Sequence, residues 1–255
     1  SALVKQGDTM VLAGVQLSIV QPEDSQPTIG RVNVTVEVAP FSSADWRPGR
    51  APELVATVAE HLEQVLFGRS ASAESVPSAG NAPCSGCFSL RQLCIAEGKA
   101  VWSASLHVYV LNVDGCVLDA VLLAAVAALQ ATALPATTVS EDGKARRQAP
   151  DQDLAPGATV VAGRRLLLGL TPLALTCALY KEHLLVDPTA EEEGLAGSLV
   201  TVVMDELGTL HGLFHPGGSR PVSPHDMVRC VESTRLHHNE VAGLLRQSLE
   251  DAIGG

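Results

Sequence analysis

The hydrophobic pattern is most continuous over Leu106–Pro135, where two apolar stretches are joined by a short polar turn. Leu106–Val113 is rich in β-branched and apolar residues, which favours a strand. Asp114-Gly115 is a turn signal. Leu118–Leu134 is then apolar with almost no polar face, a pattern typical of a helix that is buried on all sides. We therefore expect this strand–turn–helix unit to lie at the centre of the fold.

Two alternating segments precede this unit. Val11–Ile19 places an apolar residue at every second position, and Arg31–Val38 does so with four valines. A period of two predicts strands with one core face each, and we expect the second strand to pair with the first. Apolar residues then recur at three- to four-residue spacing over Leu54–Phe67, which predicts an amphipathic helix that starts near Pro52.

The second half of the chain has short apolar runs separated by turn residues, a pattern typical of strands. Glu206–Gly208 fits a hairpin turn between the last two runs. Ser223 is the predicted N-cap of a final helix that begins at Pro224 and reaches about Ala252. Strand pairs that feed long helices predict the α+β class, in two similar halves. The runs are Leu166–Leu168, Leu173–Leu179, Leu184–Val186, Leu199–Met204 and Leu210–Phe214, and the predicted inner face of the final helix is Met227, Val231, Val241, Leu245 and Leu249.

Composition narrows the class of protein. Apolar residues make up 46% of the 255 residues and aromatic residues only 3%, so a full but mostly aliphatic core is expected. The net charge of −11 argues against a free-standing nucleic-acid binder, which carries a basic surface. No apolar stretch reaches membrane-spanning length and no secretory leader opens the sequence, which favours a soluble, intracellular protein. Polar segments at about 69–83 and about 140–157 are predicted to be a mobile insertion and a loop.

Cysteine and histidine spacings raise the question of a metal site. Cys84-Ser-Gly-Cys87 has the spacing of a zinc or redox pair, but no second pair follows at a usable distance. Unrelated cysteines are therefore the favoured interpretation, and a metal-dependent module that uses this pair is the weaker alternative. His211 and His215 fall on one face of a predicted strand, where surface or edge positions are favoured over a site.

Two further segments could contact ligands. Glu191–Glu193 could bind Mg²⁺ or take part in acid–base chemistry, although three consecutive glutamates more often form a solvated turn. Trp46–Arg50 combines a ring that can stack on a base with two guanidinium groups that suit phosphates. An exposed loop tip is the plainer interpretation of that segment. The sequence contains no phosphate-binding glycine loop and no nucleophile elbow.

Several blocks together carry a family resemblance: SALVKQGDTMVLAGVQ, LCIAEGKAVW, LNVDGCVLDAVLLAAVAALQATALP, HLLVDPTAEEEGLAGSLVTVVMDELGTL, and HPGGS before the final helix. They are similar to the RNase PH-fold subunits of the eukaryotic RNA exosome, and most similar to the 43-type ring subunit. The resemblance covers essentially the whole chain. It implies an RNase PH-like α+β fold of two βαβα-type halves, like domain 2 of ribosomal protein S5, in a single domain over residues 1–255.

The resemblance also implies partners and a role. Six such subunits form a ring, RNA-binding subunits cap it, and RNA threads its channel to a separate hydrolytic nuclease. The implied function is structural support of 3′–5′ RNA processing and degradation in the nucleus, nucleolus and cytoplasm, with no cofactor, metal or membrane. Arg47 and Arg50 are the expected RNA contacts. Family members carry a segment of several dozen residues before the strand that opens this sequence, and we expect that segment to be absent here.

Active relatives bind the attacking phosphate through an arginine in a DGGTRTA-like turn, and Leu118 stands at the position of that arginine. They also carry two acidic residues six positions apart, the second acting as general acid, and the matching positions are Glu193 and Leu199. A leucine cannot make the charge-assisted hydrogen bonds that hold phosphate. The resemblance therefore implies a non-catalytic subunit. The alternative is a phosphate-dependent 3′–5′ exoribonuclease, acting alone or through a composite site with a neighbouring subunit.

Overall fold

The computed structural model describes residues 1–42, 53–68, 87–140, 145–147 and 159–254. These residues form two halves, each with a sheet and two helices, joined by short strands. The first half contains β1 (Ala2–Gln6), β2 (Thr9–Val20), β3 (Arg31–Val38), α1 (Glu53–Phe67), β4 (Cys94–Ala96), β5 (Ala100–Asn112) and α2 (Val117–Ala131). The connecting strands are β6 (Ala133–Leu134), β7 (Thr137–Val139), β8 (Ala145–Arg147), β9 (Thr159–Val161) and β10 (Arg164–Arg165). The second half contains β11 (Leu173–Tyr180), β12 (His183–Val186), α3 (Ala190–Leu195), β13 (Ser198–Met204), β14 (Leu210–Phe214) and α4 (Pro224–Gly254).

The first sheet is mixed, with the strand order β1-β2-β5-β3 and with β4 paired to β5. The strand predicted over Arg31–Val38 is confirmed as β3, but its expected pairing with the first strand is wrong. β3 runs parallel to β5, and Val36 lies opposite Val108. Because α1 follows β3, the chain crosses over the sheet and returns in the same direction, which a parallel pair requires. β2 pairs antiparallel with the other edge of β5.

α2 lies between the two halves and packs against β1, β2 and β5 on one side and β11 on the other. Leu122, Val126 and Leu129 are buried as the apolar pattern predicted, whereas Leu123 is only half-buried. The helix ends earlier than predicted because the backbone of Thr132 is extended. The Thr132 hydroxyl donates to the carbonyl of Ala128 at 2.7 Å. The central position expected for this helix is confirmed.

The second sheet is antiparallel throughout, with the order β12-β11-β13-β14. Its α2 face carries Ala174 and Val203, and its α4 face carries Leu175 and Val202. The hairpin turn predicted between the last two runs joins β13 to β14. The strand predicted over Leu166–Leu168 is wrong, because the chain there is irregular between β10 and β11.

α4 begins where the sequence predicted. Ser223 accepts a hydrogen bond from the N–H of Asp226 at 3.1 Å, and its hydroxyl donates to the Asp226 carboxylate at 2.9 Å. The first of these bonds satisfies an N–H group at the helix start that has no partner within the helix.

The inner face of α4 is the predicted one, since Val231, Leu245 and Leu249 all pack against the hydrophobic core. Of the five predicted residues only Leu245 is buried, and the other four are half-buried. The same face also includes Cys230, Thr234 and His238, which are buried. Their polar groups are satisfied, since Thr234 Oγ1 donates to the Cys230 carbonyl and the His238 ring bonds the carbonyl of Thr171. A pattern based on apolar residues alone therefore found the face but missed its buried polar members.

The predicted insertion at about 69–83 lies outside the described residues, and so does most of the predicted loop at about 140–157. Residues 145–147 within that loop form β8, which pairs with β7. The assignment of residues 1–255 to a single domain stays a prediction. Among the helices described here, none is long and apolar enough to cross a membrane.

Candidate functional site

The turn before α2 has a backbone shape that few residues adopt. Gly115 has φ +80° and Cys116 has φ +48°, both in the left-handed region. A Cβ on Gly115 would stand 2.3 Å from the carbonyl oxygen of Pro188. Only glycine fits such a close approach of two backbones. The turn is therefore in contact with the start of α3, from the other half of the chain.

The turn and α3 cap each other with carboxylates. The N–H of Cys116, at the start of α2, donates to Glu193 Oε1 at 2.8 Å. The N–H of Ala190, at the start of α3, donates to Asp114 Oδ1 at 3.2 Å. Helix N-termini attract anions because their first N–H groups have no partner and carry partial positive charge. In this chain the protein's own carboxylate occupies that position on α2.

Glu191–Glu193 belongs to α3 rather than to the solvated turn that the sequence favoured. Thr189 and Glu192 form a capping box: the N–H of Glu192 donates to Thr189 Oγ1, and the N–H of Thr189 donates to the Glu192 carboxylate at 2.9 Å. Glu191 and Glu192 are exposed, whereas Glu193 is half-buried against the turn. The three glutamates thus have different roles, and only the third enters the site.

Asp119 is a buried carboxylate one helical turn from this cap. It accepts hydrogen bonds from the N–H of Thr176 at 2.6 Å and from the Thr176 hydroxyl at 2.9 Å, and Thr176 Oγ1 in turn lies 2.8 Å from Thr201 Oγ1. Burial raises the pKa of Asp119 to about 7, against the effect of these hydrogen bonds, and the charges of Asp187 and Glu193 raise it further. Asp119 therefore joins α2 to the second sheet through a group that titrates near neutral pH.

The site is electrostatically negative. Burial raises the pKa of Glu193, and the charge of Asp114 adds to the effect. Burial likewise raises the pKa of the Cys116 thiol, followed by the charges of Asp119, Asp187 and Glu193. The charged groups that act on these side chains are all carboxylates. These negative charges would repel an external phosphate. Among the described residues, no arginine or lysine acts on the pKa of Asp119, Glu193 or Cys116 to offset them.

The two positions that the family resemblance assigned to an arginine and a general acid carry aliphatic side chains at this site. Leu118 lies in the first turn of α2 and is half-buried against the main core. Leu199 is half-buried on β13, two residues from Thr201 and on the same face of the strand. The structure thus brings the start of α2, Glu193 and this face of β13 to one place, and neither leucine can bind or protonate phosphate.

The other predicted site residues lie elsewhere. Arg47, Arg50 and Cys84 are outside the described residues. His211 lies on the edge strand β14, in agreement with the edge position that was favoured, but its ring bonds the buried carboxylate of Asp205. In the part of the chain that the structure describes, no three histidine, cysteine or acidic side chains are gathered to hold a metal ion.

A cavity of about 490 Å³ opens between β1, α2 and α4. Asp119, Asp187 and His237 lie at its polar end, and burial lowers the pKa of His237. Leu123 and Leu245 belong to its apolar lining. Leu123 is half-buried rather than buried because it lines this open space.

Two family models match the chain. The first domain of the 3′ exoribonuclease family matches residues 1–135, and its second domain matches residues 171–235. The first range holds the first half of the fold and β6, and the second begins just before β11 and ends within α4. The match to the first domain alone covers more than half of the chain, so the family is shown.

Similar proteins carry exosome names. The chain is 34% identical to exosome complex component Rrp42 of Sulfurisphaera tokodaii, over 84% of this chain and 68% of the relative. It is 27% identical to RRP45 of Danio rerio, over 98% of this chain but only 57% of that relative. It is 25% identical to rrp43 of Schizosaccharomyces pombe, over 92% and 77%. The 43-type is thus one of several types that the chain resembles.

Solved structures support the same fold. A chain of the Archaeoglobus fulgidus exosome with RNA bound to its active site superimposes with a TM-score of 0.70 at 23% identity, over 94% of this chain and 81% of the other. A chain of an archaeal exosome core gives a TM-score of 0.65 at 22% identity, over 96% and 80%. The RNase PH-like α+β fold expected from the sequence is confirmed. The chain belongs to the 3′ exoribonuclease family, which has the RNase PH fold, and the relatives described above are named as exosome complex components.

Proposed function

We propose that this chain is a non-catalytic subunit of an exosome core ring and takes the 43-type position in it. The observation that carries the proposal is the hydrogen bond from the Cys116 N–H to Glu193. It lies in a site where the resemblance implies that Leu118 and Leu199 stand in place of the phosphate-binding arginine and the general acid. The anion position at the start of α2 is already filled by a carboxylate of the same chain.

Phosphorolysis needs a phosphate held against the end of the RNA and a proton donor for the leaving oxygen. Arginine meets the first need with two parallel charge-assisted hydrogen bonds, which an aliphatic side chain cannot make. The helix N-terminus could contribute to anion binding, but here its first N–H group is bonded to Glu193. The neighbouring charges of Asp114 and Asp187 add repulsion. Each of these features opposes phosphate binding.

A place in a ring is supported by large apolar side chains on the surface. Obligate interfaces are apolar, and exposed apolar surface on a single chain commonly marks a contact with a partner. Such side chains come from both halves of the fold, including the end of α3 and the β13–β14 turn. They include Leu3, Phe41, Leu195, Leu207 and Leu236, each more than 60% exposed.

RNA is the proposed ligand of the ring rather than of this chain alone. The chain carries more acidic than basic groups, with a net charge of −11, and we propose that Arg47 and Arg50 are the basic residues that contact RNA in the channel. In this proposal, RNA-binding subunits cap the ring on one side. RNA passes through the channel of the ring to a separate hydrolytic nuclease on the other side. We further propose nuclear, nucleolar and cytoplasmic localisation, which imaging of a tagged chain would test.

The test is a phosphorolysis assay with single-stranded RNA and inorganic phosphate, on the purified chain and on the chain assembled with its ring neighbours. We expect no nucleoside diphosphate that depends on this subunit. The assembled sample addresses the alternative of a composite site: substituting Glu193→Gln in this chain should leave any activity of the ring unchanged. Release of nucleoside diphosphates by the chain alone, or their loss on that substitution, would establish the phosphorolytic alternative instead.

A matched pair of variants sharpens the assay. Leu118→Arg restores the charge at the arginine position, and Leu118→Met changes the side chain without adding charge. If the site lacks the general acid as well as the arginine, Leu118→Arg should bind inorganic phosphate more tightly than Leu118→Met. It should still release no nucleoside diphosphate from RNA. Calorimetric titration with phosphate measures the first effect, and the RNA assay measures the second.

A further inference from the structure

A basic surface lies on the connecting strands and on the adjoining end of the first sheet, away from the α2 turn. Its side chains come from the short helical turn before β4, from the turn between β4 and β5, and from the strands β8 and β10. They are Arg91, Lys99, Arg146, Arg147, Arg164 and Arg165, and all of them are exposed. In a chain whose net charge is −11, such a grouping of positive charge favours an anionic partner.

The basic surface and the acidic α2 turn lie at opposite ends of the first sheet. β2 and β5 run between them, with Met10 opposite Asn112 near the turn and Val20 opposite Val101 at the other end. Ten residues of extended strand separate the two ends by roughly 33 Å. The carboxylates of the turn therefore do not neutralise the basic surface, because salt screens exposed charges beyond about 10 Å.

Two of the arginines are held in place by backbone carbonyls. Arg164 Nη2 donates to the carbonyl of Cys94 at 3.1 Å. Arg147 Nη2 donates to the carbonyl of Leu17 at 3.0 Å, and its guanidinium group lies 5.7 Å from the centre of the Trp102 ring. A carbonyl removes no charge from a guanidinium group. Both arginines therefore keep their positive charge and further N–H groups for a ligand.

The other four basic side chains have no hydrogen-bond or ion-pair partner among the described residues, whereas Arg31 in the first half is paired with Glu23. Glu97 is a carboxylate at this surface. Burial raises the pKa of Cys94, the charge of Glu97 adds to the effect, and the charge of Arg164 opposes it. In the part of the surface that the structure describes, positive charge therefore exceeds negative charge.

Two arginines face outward from the connecting strands. Side chains alternate between the faces of a strand, so Arg146 and Arg165 face away from the first sheet, which their neighbours Arg147 and Arg164 contact. Arg146 lies opposite Thr138, and Arg165 lies opposite Ala133. These two partners are five residues apart in one segment of chain, which spans at most about 18 Å. A short run of extended nucleotides can reach across that distance.

We propose that the basic surface binds the phosphodiester backbone of single-stranded RNA, in addition to the contacts proposed for Arg47 and Arg50. Guanidinium groups form paired hydrogen bonds with phosphate oxygens. The aromatic ring at this surface, that of Trp102, is only 3% exposed and cannot stack on a base, so binding is independent of sequence. The choice of RNA as the anion rests on the proposed function, whereas the position of the surface does not.

The test measures binding of a fluorescently labelled, single-stranded oligouridylate to the full chain by anisotropy, from about 50 to 200 mM salt. Removing one phosphate contact should reduce the slope of log affinity against log salt by about 0.7 for a single strand. We therefore expect the double variant Arg146→Gln/Arg165→Gln to bind more weakly and to reduce the slope by about 1.4. Circular dichroism checks that the variant is folded.

A matched control removes the same charge elsewhere. The double variant Lys181→Gln/Arg246→Gln, at exposed positions of the second half, should keep the slope of the parent. The inference is overturned if the parent does not bind RNA at the lowest salt, or if both double variants reduce the slope equally, since net charge would then explain the effect. Binding of poly-glutamate as tight as that of RNA would assign the surface to an acidic protein instead.

A further variant separates this inference from the proposed function. Arg47→Gln/Arg50→Gln is measured in the same salt series. If it alone reduces the slope, the contacts of the proposed function stand and the basic surface does not bind RNA. If only Arg146→Gln/Arg165→Gln reduces the slope, the basic surface binds RNA and the contacts proposed for Arg47 and Arg50 are wrong.

Discussion

The middle of α2 and the turn at its start are neighbours in the chain, yet different forces hold them. The middle is held by apolar contacts with both sheets, which are non-directional and tolerate exchange of one aliphatic residue for another of similar size. The turn is held by a few directional hydrogen bonds to carboxylates, in a backbone shape that excludes most residues. The comparison separates what makes the fold stable from what decides its chemistry.

The largest effect is expected in the middle of the helix. Leu122→Ala removes a side chain that is 1% exposed and leaves a cavity, so the free energy of unfolding should fall by about 2–5 kcal/mol. Leu236→Ala, at an exposed position on α4, should change it by no more than about 0.5 kcal/mol. Urea denaturation measures both. Equal effects of the two substitutions would show that α2 is not the centre of the core.

The turn before α2 should tolerate a change of charge better than an added side chain. Gly115→Ala and Gly98→Ala both place a side chain at positive φ, a strain of order 1–3 kcal/mol. Only at Gly115 does the new Cβ meet a backbone oxygen, that of Pro188, whereas the space around Gly98 is open. Gly115→Ala should therefore lower the free energy of unfolding by clearly more than Gly98→Ala. Similar losses in urea denaturation would mean that the turn and α3 are not in tight contact.

Asp119 should make stability depend on pH. Its pKa is about 7 in the folded chain against an ordinary value of 3.8, so the folded state binds the proton more firmly than the unfolded state. The free energy of unfolding should fall as pH rises between about 4 and 7, by at most roughly 1.4 kcal/mol per pH unit, and level off above. Asp119→Asn keeps an oxygen for the Thr176 N–H and should remove this slope.

The control for that slope is Asp8→Asn, in the exposed turn between β1 and β2, which should leave it as in the parent. Chemical denaturation at a series of pH values provides the measurement. A slope that persists in Asp119→Asn would assign the pH dependence to another group.

The smallest effect is expected at the cap of α2. Glu193→Ala removes the acceptor of the Cys116 N–H, a loss typical of an N-cap and worth about 0.5–2 kcal/mol. Glu193→Gln keeps an acceptor and removes one of several neighbouring negative charges, so it should cost less or even stabilise. Glu191→Ala, on the exposed side of α3, serves as the control in the same denaturation series. If Glu193→Gln proved the more harmful of the two, charge rather than capping would be the contribution of Glu193.

Apolar patterns predicted the elements of this fold better than their partners. The run Leu118–Leu134 predicted the buried helix, and Ser223 predicted the start of α4. Both predictions depend only on residues that are neighbours in the sequence. Alternation over Arg31–Val38 predicted a strand but could not identify its neighbour, since either edge of β5 buries the same valines. The inner face of α4 was predicted without Thr234 and His238, because these two are buried through hydrogen bonds that hydrophobic periodicity does not detect.

The candidate site was predictable only in part. The resemblance to a family placed Leu118, Glu193 and Leu199 together, and the structure brings their segments to one place. It did not predict that Glu193 caps α2, because that bond joins residues 77 positions apart and depends on their geometry. The contact between Cys87 and His211 is more distant still, at 124 positions. Directional contacts over such separations leave no local signal in a sequence.

The position of α2 between the two halves has a consequence for how the chain is made. Domains are generally completed in order as they leave the ribosome, and the first half emerges with one face of this helix uncovered. Ala174, Val203 and Leu245, which complete the core around α2, are synthesised later. The nascent first half therefore exposes an apolar helix until β11 and β13 are made, and exposed apolar surface in that interval favours aggregation.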